Sequence, residues 1–185
     1  MKTIYILLSR TGTFPSKVIH GIKGGKFTHA SLSLTPSTDC LYSYARRSIN
    51  NFLKAGLITE NIHTEVFARY PNCNCALYKL DISDKAYEKI QSEITVFFNN
   101  YKKAKYSFLG LFALIFGIKI KRKWKLTCSQ FVAVILQRSQ EIHLPKDPYL
   151  MLPNDFINIP GVELIYEGKL HDCKVNTASY ASIQV

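Results

Sequence analysis

A strand–turn–strand pattern over residues 27–45 constrains the fold of this chain more than any other feature. Residues 27–34 alternate between a face with His29 and two serines and a mainly aliphatic face, which is typical of a strand with one side against a core. Turn-forming residues 35–39 separate this run from a second strand-like run at residues 40–45. Because so short a connection joins strands antiparallel, we predict that the His29 strand pairs with the next strand in an antiparallel sheet.

The rest of the chain combines further strands with helices. Periodicity predicts strands at residues 3–8, 75–80 and 162–166, the last at a sheet edge, and helices at residues 17–22, 84–101, 107–116 and 128–138. Residues 46–72 show no clear period, so we expect a loop or excursion there. The proline-containing tail is expected to be largely extended. Together these elements predict an α+β fold.

Length and composition fit one domain over residues 1–185. The chain is 47% hydrophobic and 20% charged, which is enough to form one compact core. Its 24 Lys and Arg against 13 Asp and Glu give a formal charge of +11. Such a charge either attracts anionic membranes or polymers or simply solubilises the surface. Nucleic acid is a less favoured partner because the sequence contains no recognisable binding module.

The cysteines indicate a reducing compartment. They lie at positions 40, 73, 75, 128 and 173, odd in number and scattered, which favours reduced thiols in a cytoplasmic protein over a disulfide framework. No second Cys or His pair accompanies Cys73 and Cys75 at ligand spacing, so we expect no metal and no cofactor. The apolar run near the amino terminus is shorter than that of a signal peptide and indicates a buried strand instead.

The longest apolar run, residues 108–118, ends at Lys119 and is too short to cross a membrane. Basic residues follow it at positions 121–123 and 125. This segment predicts either an interfacial helix with a basic border or a buried core helix followed by a solvated loop. In the first case the protein lies at the periphery of an anionic membrane.

The sharpest chemical signal lies at residues 126–132. Thr127 and Gln130 have the spacing of a capping box, which places Cys128 in the first turn of a helix. A thiolate there faces unpaired backbone amides and the positive end of the helix dipole, so the nucleophilic form is favoured. The alternative is a small buried side chain at the start of a core helix, since free cysteine is commonly buried.

A cysteine nucleophile needs an imidazole base that a third polar group holds in place. His29 is the best candidate among the five histidines because a strand would fix its position. His20 falls in a predicted helix, His63 in the excursion, and His143 and His171 in the tail. A lone histidine in a strand can equally be structural.

Five short segments, in order, match those of a known superfamily and cover most of the chain. They are Phe27-Thr28-His29-Ala30-Ser31-Leu32, Leu41-Tyr42-Ser43-Tyr44-Ala45, Lys105-Tyr106-Ser107-Phe108, Thr127-Cys128-Ser129-Gln130-Phe131-Val132 and Leu152-Pro153-Asn154-Asp155-Phe156. The pattern resembles the permuted NlpC-type papain-like superfamily, in particular its YiiX/YaeF-like bacterial branch, with lecithin:retinol acyltransferase as a more distant relative. The resemblance implies a circularly permuted papain-like fold. In such a fold an antiparallel sheet or partial barrel packs against helices, and the nucleophile stands at a helix N-terminus.

The resemblance also implies roles for individual residues. Cys128 attacks a carbonyl carbon, His29 accepts the thiol proton, and Tyr106 helps to shape the oxyanion site. YiiX-like relatives tend to carry an acidic residue on the strand after the histidine, where this chain has Ser43. A serine can orient an imidazole but cannot offset its charge. Either Ser43 is the third group, or Tyr42 fills the place, or catalysis is weak.

We therefore expect a cysteine hydrolase or acyltransferase that acts on an amide, ester or thioester bond through an acyl-enzyme thioester. The expected substrate is a lipid, an acylated small molecule or a peptide. The competing prediction, from the missing acidic group, is a catalytically weak or inactive binding module for an anionic membrane or polymer.

Overall fold

An eight-stranded sheet forms the centre of the computed structural model, which describes residues 1–10, 25–47, 54–63, 67 and 73–173. The strands are β1 (Lys2–Arg10), β2 (His29–Ser33), β3 (Leu41–Arg46), β4 (Ala55–Glu60), β5 (Asn74–Ile82), β6 (Lys105–Tyr106), β7 (Lys125–Leu126) and β8 (Glu163–Lys169). Their spatial order is β7-β6-β4-β3-β2-β1-β5-β8, and neighbouring strands are antiparallel except β6 and β7. The predicted helix at residues 17–22 lies outside the described residues.

Strand β1 lies between β2 and β5 inside the sheet and is buried on both faces, because a hydrophobic cluster covers each face. Ile4 and Ile6 belong to the larger hydrophobic core, whereas Tyr5 and Leu7 belong to a second cluster. Successive strand residues point to opposite faces, so the two clusters lie on opposite sides of the sheet. The predicted buried strand at residues 3–8 is confirmed.

Three helices are described: α1 (Asp84–Asn99), α2 (Phe108–Ile115) and α3 (Cys128–Arg138). Helix α3 packs against β2, β3 and α1. Ser83 caps α1 by accepting a hydrogen bond from the Ala86 N–H at 3.1 Å. The predicted helices after Ser83, at residues 107–116 and at residues 128–138 are confirmed.

The hairpin predicted at residues 27–45 is confirmed. Strands β2 and β3 pair antiparallel, with Leu32 opposite Tyr42. The same register sets Ser31 opposite Ser43 on the other face, because neighbouring residues of a strand point to opposite sides. One face of the hairpin therefore joins the larger core, and the other carries His29 and the serines.

The tail is less extended than predicted. Short 3-10 turns interrupt it at Pro148–Leu150 and Pro153–Asn158. Each turn begins at a proline, whose fixed φ suits the first position of a helical turn. The strand predicted at residues 162–166 forms as β8 and lies at a sheet edge, as expected.

The prediction of a loop throughout residues 46–72 is wrong, because β4 forms within them between β3 and β6. Gly56 of β4 lies so close to the chain before β6 that a Cβ there would come within 2.2 Å of the Ala104 carbonyl oxygen. That oxygen accepts a hydrogen bond from the Leu57 N–H at 3.2 Å. Strand β4 thus depends on a tertiary contact that local periodicity does not report.

The fold is α+β, with a mostly antiparallel open sheet packed against helices. Helices α1 and α3 lie on the face of the larger core, and both contribute large side chains to it. Among the described residues, every helix is too short or too polar to cross a membrane.

Gly56→Ala tests the close approach of β4. The added methyl must push the Ala104 carbonyl away, so we expect a loss of about 1–3 kcal/mol in the free energy of unfolding, measured by urea denaturation. Gly168→Ala is the matched control. Its methyl would meet only the hydroxyl end of the Tyr166 side chain, at 2.7 Å, which can move. Equal stability of the two variants would contradict the assigned contact.

Candidate active site

His29 is the first residue of β2 and is held inside the sheet. It pairs with Ser9 of β1, and the Thr28 N–H donates to the Ser9 carbonyl at 3.0 Å. The imidazole is buried, with its ring centroid 6.4 Å from that of Phe67. Since backbone pairing fixes the strand, the ring has little freedom to turn away. Of the histidines in the described part of the chain, His29 alone is buried.

Glu60, the last residue of β4, provides the carboxylate that contacts His29. Its two oxygens lie 3.0 and 3.2 Å from Nε2 of the imidazole. Ser31 donates a hydrogen bond from Oγ to Glu60 Oε2 at 2.7 Å and lies 3.2 Å from the same imidazole nitrogen. The carboxylate therefore fixes the ring orientation, and Ser31 fixes the carboxylate.

Cys128 is the first residue of α3, at the predicted position. Thr127 Oγ1 accepts from the Gln130 N–H at 3.4 Å, and Gln130 Oε1 accepts from the Thr127 N–H at 3.1 Å. The predicted capping box is confirmed. Gln130 Nε2 also donates to the Tyr149 carbonyl at 2.9 Å, which ties the start of the helix to the tail. Cys128 itself is buried.

The pKa of His29 depends on both Glu60 and Cys128. Burial alone would lower the pKa of His29, because it disfavours the imidazolium. The negative charges of Glu60 and Cys128, and hydrogen bonds with both side chains, outweigh burial and raise the pKa well above its ordinary value.

The pKa of Glu60 moves in the opposite direction. Burial would raise it, but the charge of His29 and hydrogen bonds from His29 and Ser31 lower it overall, with a smaller contribution from the nearby Ser43 hydroxyl. Each shift favours the charged form of its group, so the contact at 3.0 Å between the two side chains is an ion pair.

Tyr106 also lies at this site. It ends β6, pairs with Leu126 of β7, and so stands beside the residues that lead into α3. Burial and the negative charge of Cys128 raise the pKa of Tyr106 well above its ordinary value, which keeps the hydroxyl protonated. A protonated phenol near the sulfur can donate a hydrogen bond to an oxyanion.

The structure corrects the predicted third group. Ser43 Oγ is buried beside Glu60 and contributes to lowering its pKa, but it forms no hydrogen bond of good geometry to the described part of the chain. Tyr42 lies on the other face of the sheet, where its ring packs against Phe98. Of these three residues, Glu60 is the one whose side chain contacts the imidazole.

Sequence reasoning missed Glu60 because its strand was not recognised. The available signal was the strand-favouring run of residues 57–59, which ends at a carboxylate. Ser43 contributes space to the site. It lies on β3, between the strands of His29 and Glu60, and its small side chain leaves room for the two to meet.

Comparisons with known proteins leave the family open: no protein-family model matches this chain, and a search of curated proteins finds no match.

We expect Cys128 to be the first thiol alkylated by limiting iodoacetamide near neutral pH, although it is buried. Its place in the first turn of α3 favours the nucleophilic form of a thiol, whereas burial raises the pKa of the Cys73 thiol to about 11 and so keeps that thiol protonated. Peptide mapping by mass spectrometry gives the order of labelling. Earlier labelling of Cys40, Cys73, Cys75 or Cys173 would make the assignment wrong.

Glu60→Gln should lower the pKa of His29, because burial then acts on the imidazolium without the carboxylate to offset it. The measurement is an NMR titration of imidazole-labelled protein, with His29→Ala to assign the signal. Ser43→Ala is the control and should leave the titration of His29 nearly unchanged. An unaltered midpoint in Glu60→Gln would show that the carboxylate does not hold the imidazolium.

Proposed function

We propose that this protein is a cysteine hydrolase or acyltransferase that forms an acyl-enzyme thioester on Cys128. A single arrangement supports the proposal most strongly: the His29 imidazole lies between the Glu60 carboxylate and Cys128 at the capped N-terminus of α3. These three residues supply a nucleophile, a base and an orienting acid, which is the set that an activated thiol requires.

The first half-reaction uses the ion pair. The Cys128 thiolate attacks a carbonyl carbon and forms a C–S bond, and the negative charge moves to the carbonyl oxygen. The Tyr106 hydroxyl and the free N–H groups at the start of α3 are placed to stabilise this oxyanion. The bond to the leaving group then breaks, and the His29 imidazolium gives that group its proton.

The second half-reaction releases the acyl group. Neutral His29 takes a proton from water or from an acceptor molecule, whose oxygen or nitrogen attacks the thioester carbon. The C–S bond breaks and the thiolate returns beside the imidazolium. Water as the acceptor makes the protein a hydrolase, and another nucleophile makes it a transferase.

The circularly permuted papain-like fold of the NlpC type is part of this proposal. It is supported by the strand of His29 preceding the helix of Cys128, and by the mostly antiparallel sheet on which α3 packs. The alternative of a catalytically weak binding module rested on a missing acidic residue, and Glu60 removes that reason. The five free cysteines agree with a reducing, cytoplasmic location.

Acyl-enzyme trapping tests the proposed function. Incubation with p-nitrophenyl esters of short and long acyl chains should add one acyl mass to the intact protein, on the peptide that contains Cys128. Cys128→Ala should form no adduct. His29→Ala should slow acylation by about 100-fold or more, the range for loss of a general base. It should also shift the pH dependence of acylation to higher pH, because the Cys128 thiolate no longer has the His29 imidazolium beside it.

Glu60→Gln measures the orienting acid. We expect acylation about 10–100-fold slower, since a hydrogen bond to a charged group contributes about 1.5–3 kcal/mol. The double variant of His29 and Glu60 should be little slower than His29→Ala, because both act through one imidazole. Ser43→Ala is the matched control and should react nearly as wild type. Equal acylation rates in wild type and His29→Ala from pH 5 to pH 9 would overturn the proposed pair.

A further inference from the structure

Helix α2 exposes an apolar face. Leu109, Phe112 and Phe116 follow one another at intervals of three and four residues, so they lie on one side of the helix. They are 58, 47 and 72% exposed, and Ile118, just beyond the helix, is 57% exposed. The opposite side, with Leu111 and Ile115, is buried. A helix that is apolar all round and half exposed has an unpartnered hydrophobic surface.

Basic residues flank helix α2 on both sides in the sequence. Residues 102–125 contain eight Lys and Arg and no acidic residue: Lys102, Lys103, Lys105, Lys119, Lys121, Arg122, Lys123 and Lys125. Six of them, together with Trp124, line an open groove of about 690 Å³ along β6 and β7. Within the described residues only Lys119 forms an ion pair, with Asp147.

We propose that the α2 face and this basic groove together dock on an anionic lipid bilayer. The apolar side chains enter the interfacial region of the bilayer, and the basic border contacts the lipid headgroups. This resolves the two interpretations of residues 108–118, because one side of α2 is core and the other is free to contact lipid. Docking does not depend on the proposed catalysis.

The combination of the two surfaces favours a bilayer over other anionic partners. A nucleic acid would use the positive groove and the indole of Trp124, but it offers nothing to cover Phe112, Phe116 and Ile118. A bilayer offers both a negative surface and an apolar layer beneath it, in the arrangement that this surface requires. The formal charge of +11 acts in the same direction.

The docking surface is continuous with the candidate active site. The buried side of α2, through Leu111 and Ile115, packs against Tyr106. The ring of Tyr106 also lies 5.1 Å from that of Phe108. Tyr106 is therefore about one helix diameter, about 10 Å, from the docked surface.

Vesicle binding tests the inference. We expect the full chain to sediment with phosphatidylcholine vesicles that contain about one third phosphatidylglycerol, and much less with phosphatidylcholine alone. Added salt should weaken binding. Since Trp124 is the only tryptophan, its emission reports directly on the groove and should shift to shorter wavelength on binding.

Two double variants separate the two parts of the surface. Phe112→Ser with Phe116→Ser should weaken binding at least about tenfold through loss of buried apolar area. Lys121→Glu with Lys123→Glu should weaken it similarly and remove the preference for anionic lipid. The matched controls are Leu164→Ser, at an apolar residue 51% exposed on β8, and Lys85→Glu on α1. Both should bind as wild type.

Three results would overturn the inference. The first is no binding to anionic vesicles, and the second is equal vesicle binding by wild type and the phenylalanine variant. The third is displacement from vesicles by a single-stranded oligonucleotide that binds wild type and the phenylalanine variant equally. Cys128→Ala should bind vesicles as wild type does, so a failure of docking and a failure of catalysis are observed separately.

Discussion

The contact between His29 and Glu60 is the interaction on which the candidate site depends. The two residues lie on β2 and β4, with β3 between them, and the strand registers place them diagonally across the sheet rather than opposite each other. Their side chains nevertheless meet at 3.0 Å, because Ser43 on β3 leaves space between them. A buried imidazolium without this carboxylate would be strongly disfavoured, so Glu60 makes a buried imidazolium possible at His29.

The second requirement is the position of the thiol. The capping box of Thr127 and Gln130 begins α3 at Cys128, and the packing of α3 on β2 brings that end of the helix to His29. The β6–β7 pair adds Tyr106 to the same place. One sheet and one helix terminus thus assemble four chemically different groups, and each is held by backbone hydrogen bonds rather than by a loop.

Much of this could be predicted from the sequence. His29 and Cys128 each belong to an element with its own local signal, alternation for the strand and a capping box for the helix, and both signals are confirmed. Glu60 could not be found in this way, because Gly56 interrupts the pattern of its strand and marks a close approach to Ala104 instead. Ser43 was the predicted third group because it lies on the strand next to that of His29. The side chain that contacts the imidazole comes instead from β4, one strand farther along the sheet.

The amino-acid sequence by itself determined the helices, their caps and most of the long strands, because these depend on residues a few positions apart. It also singled out Cys128 and His29 and set the basic, apolar character of residues 102–125. Only the tertiary structure decided the acidic partner of His29 and which side of α2 is exposed. Both depend on how distant segments pack, and a carboxylate or an apolar helix face has the same local pattern whether it is buried or free.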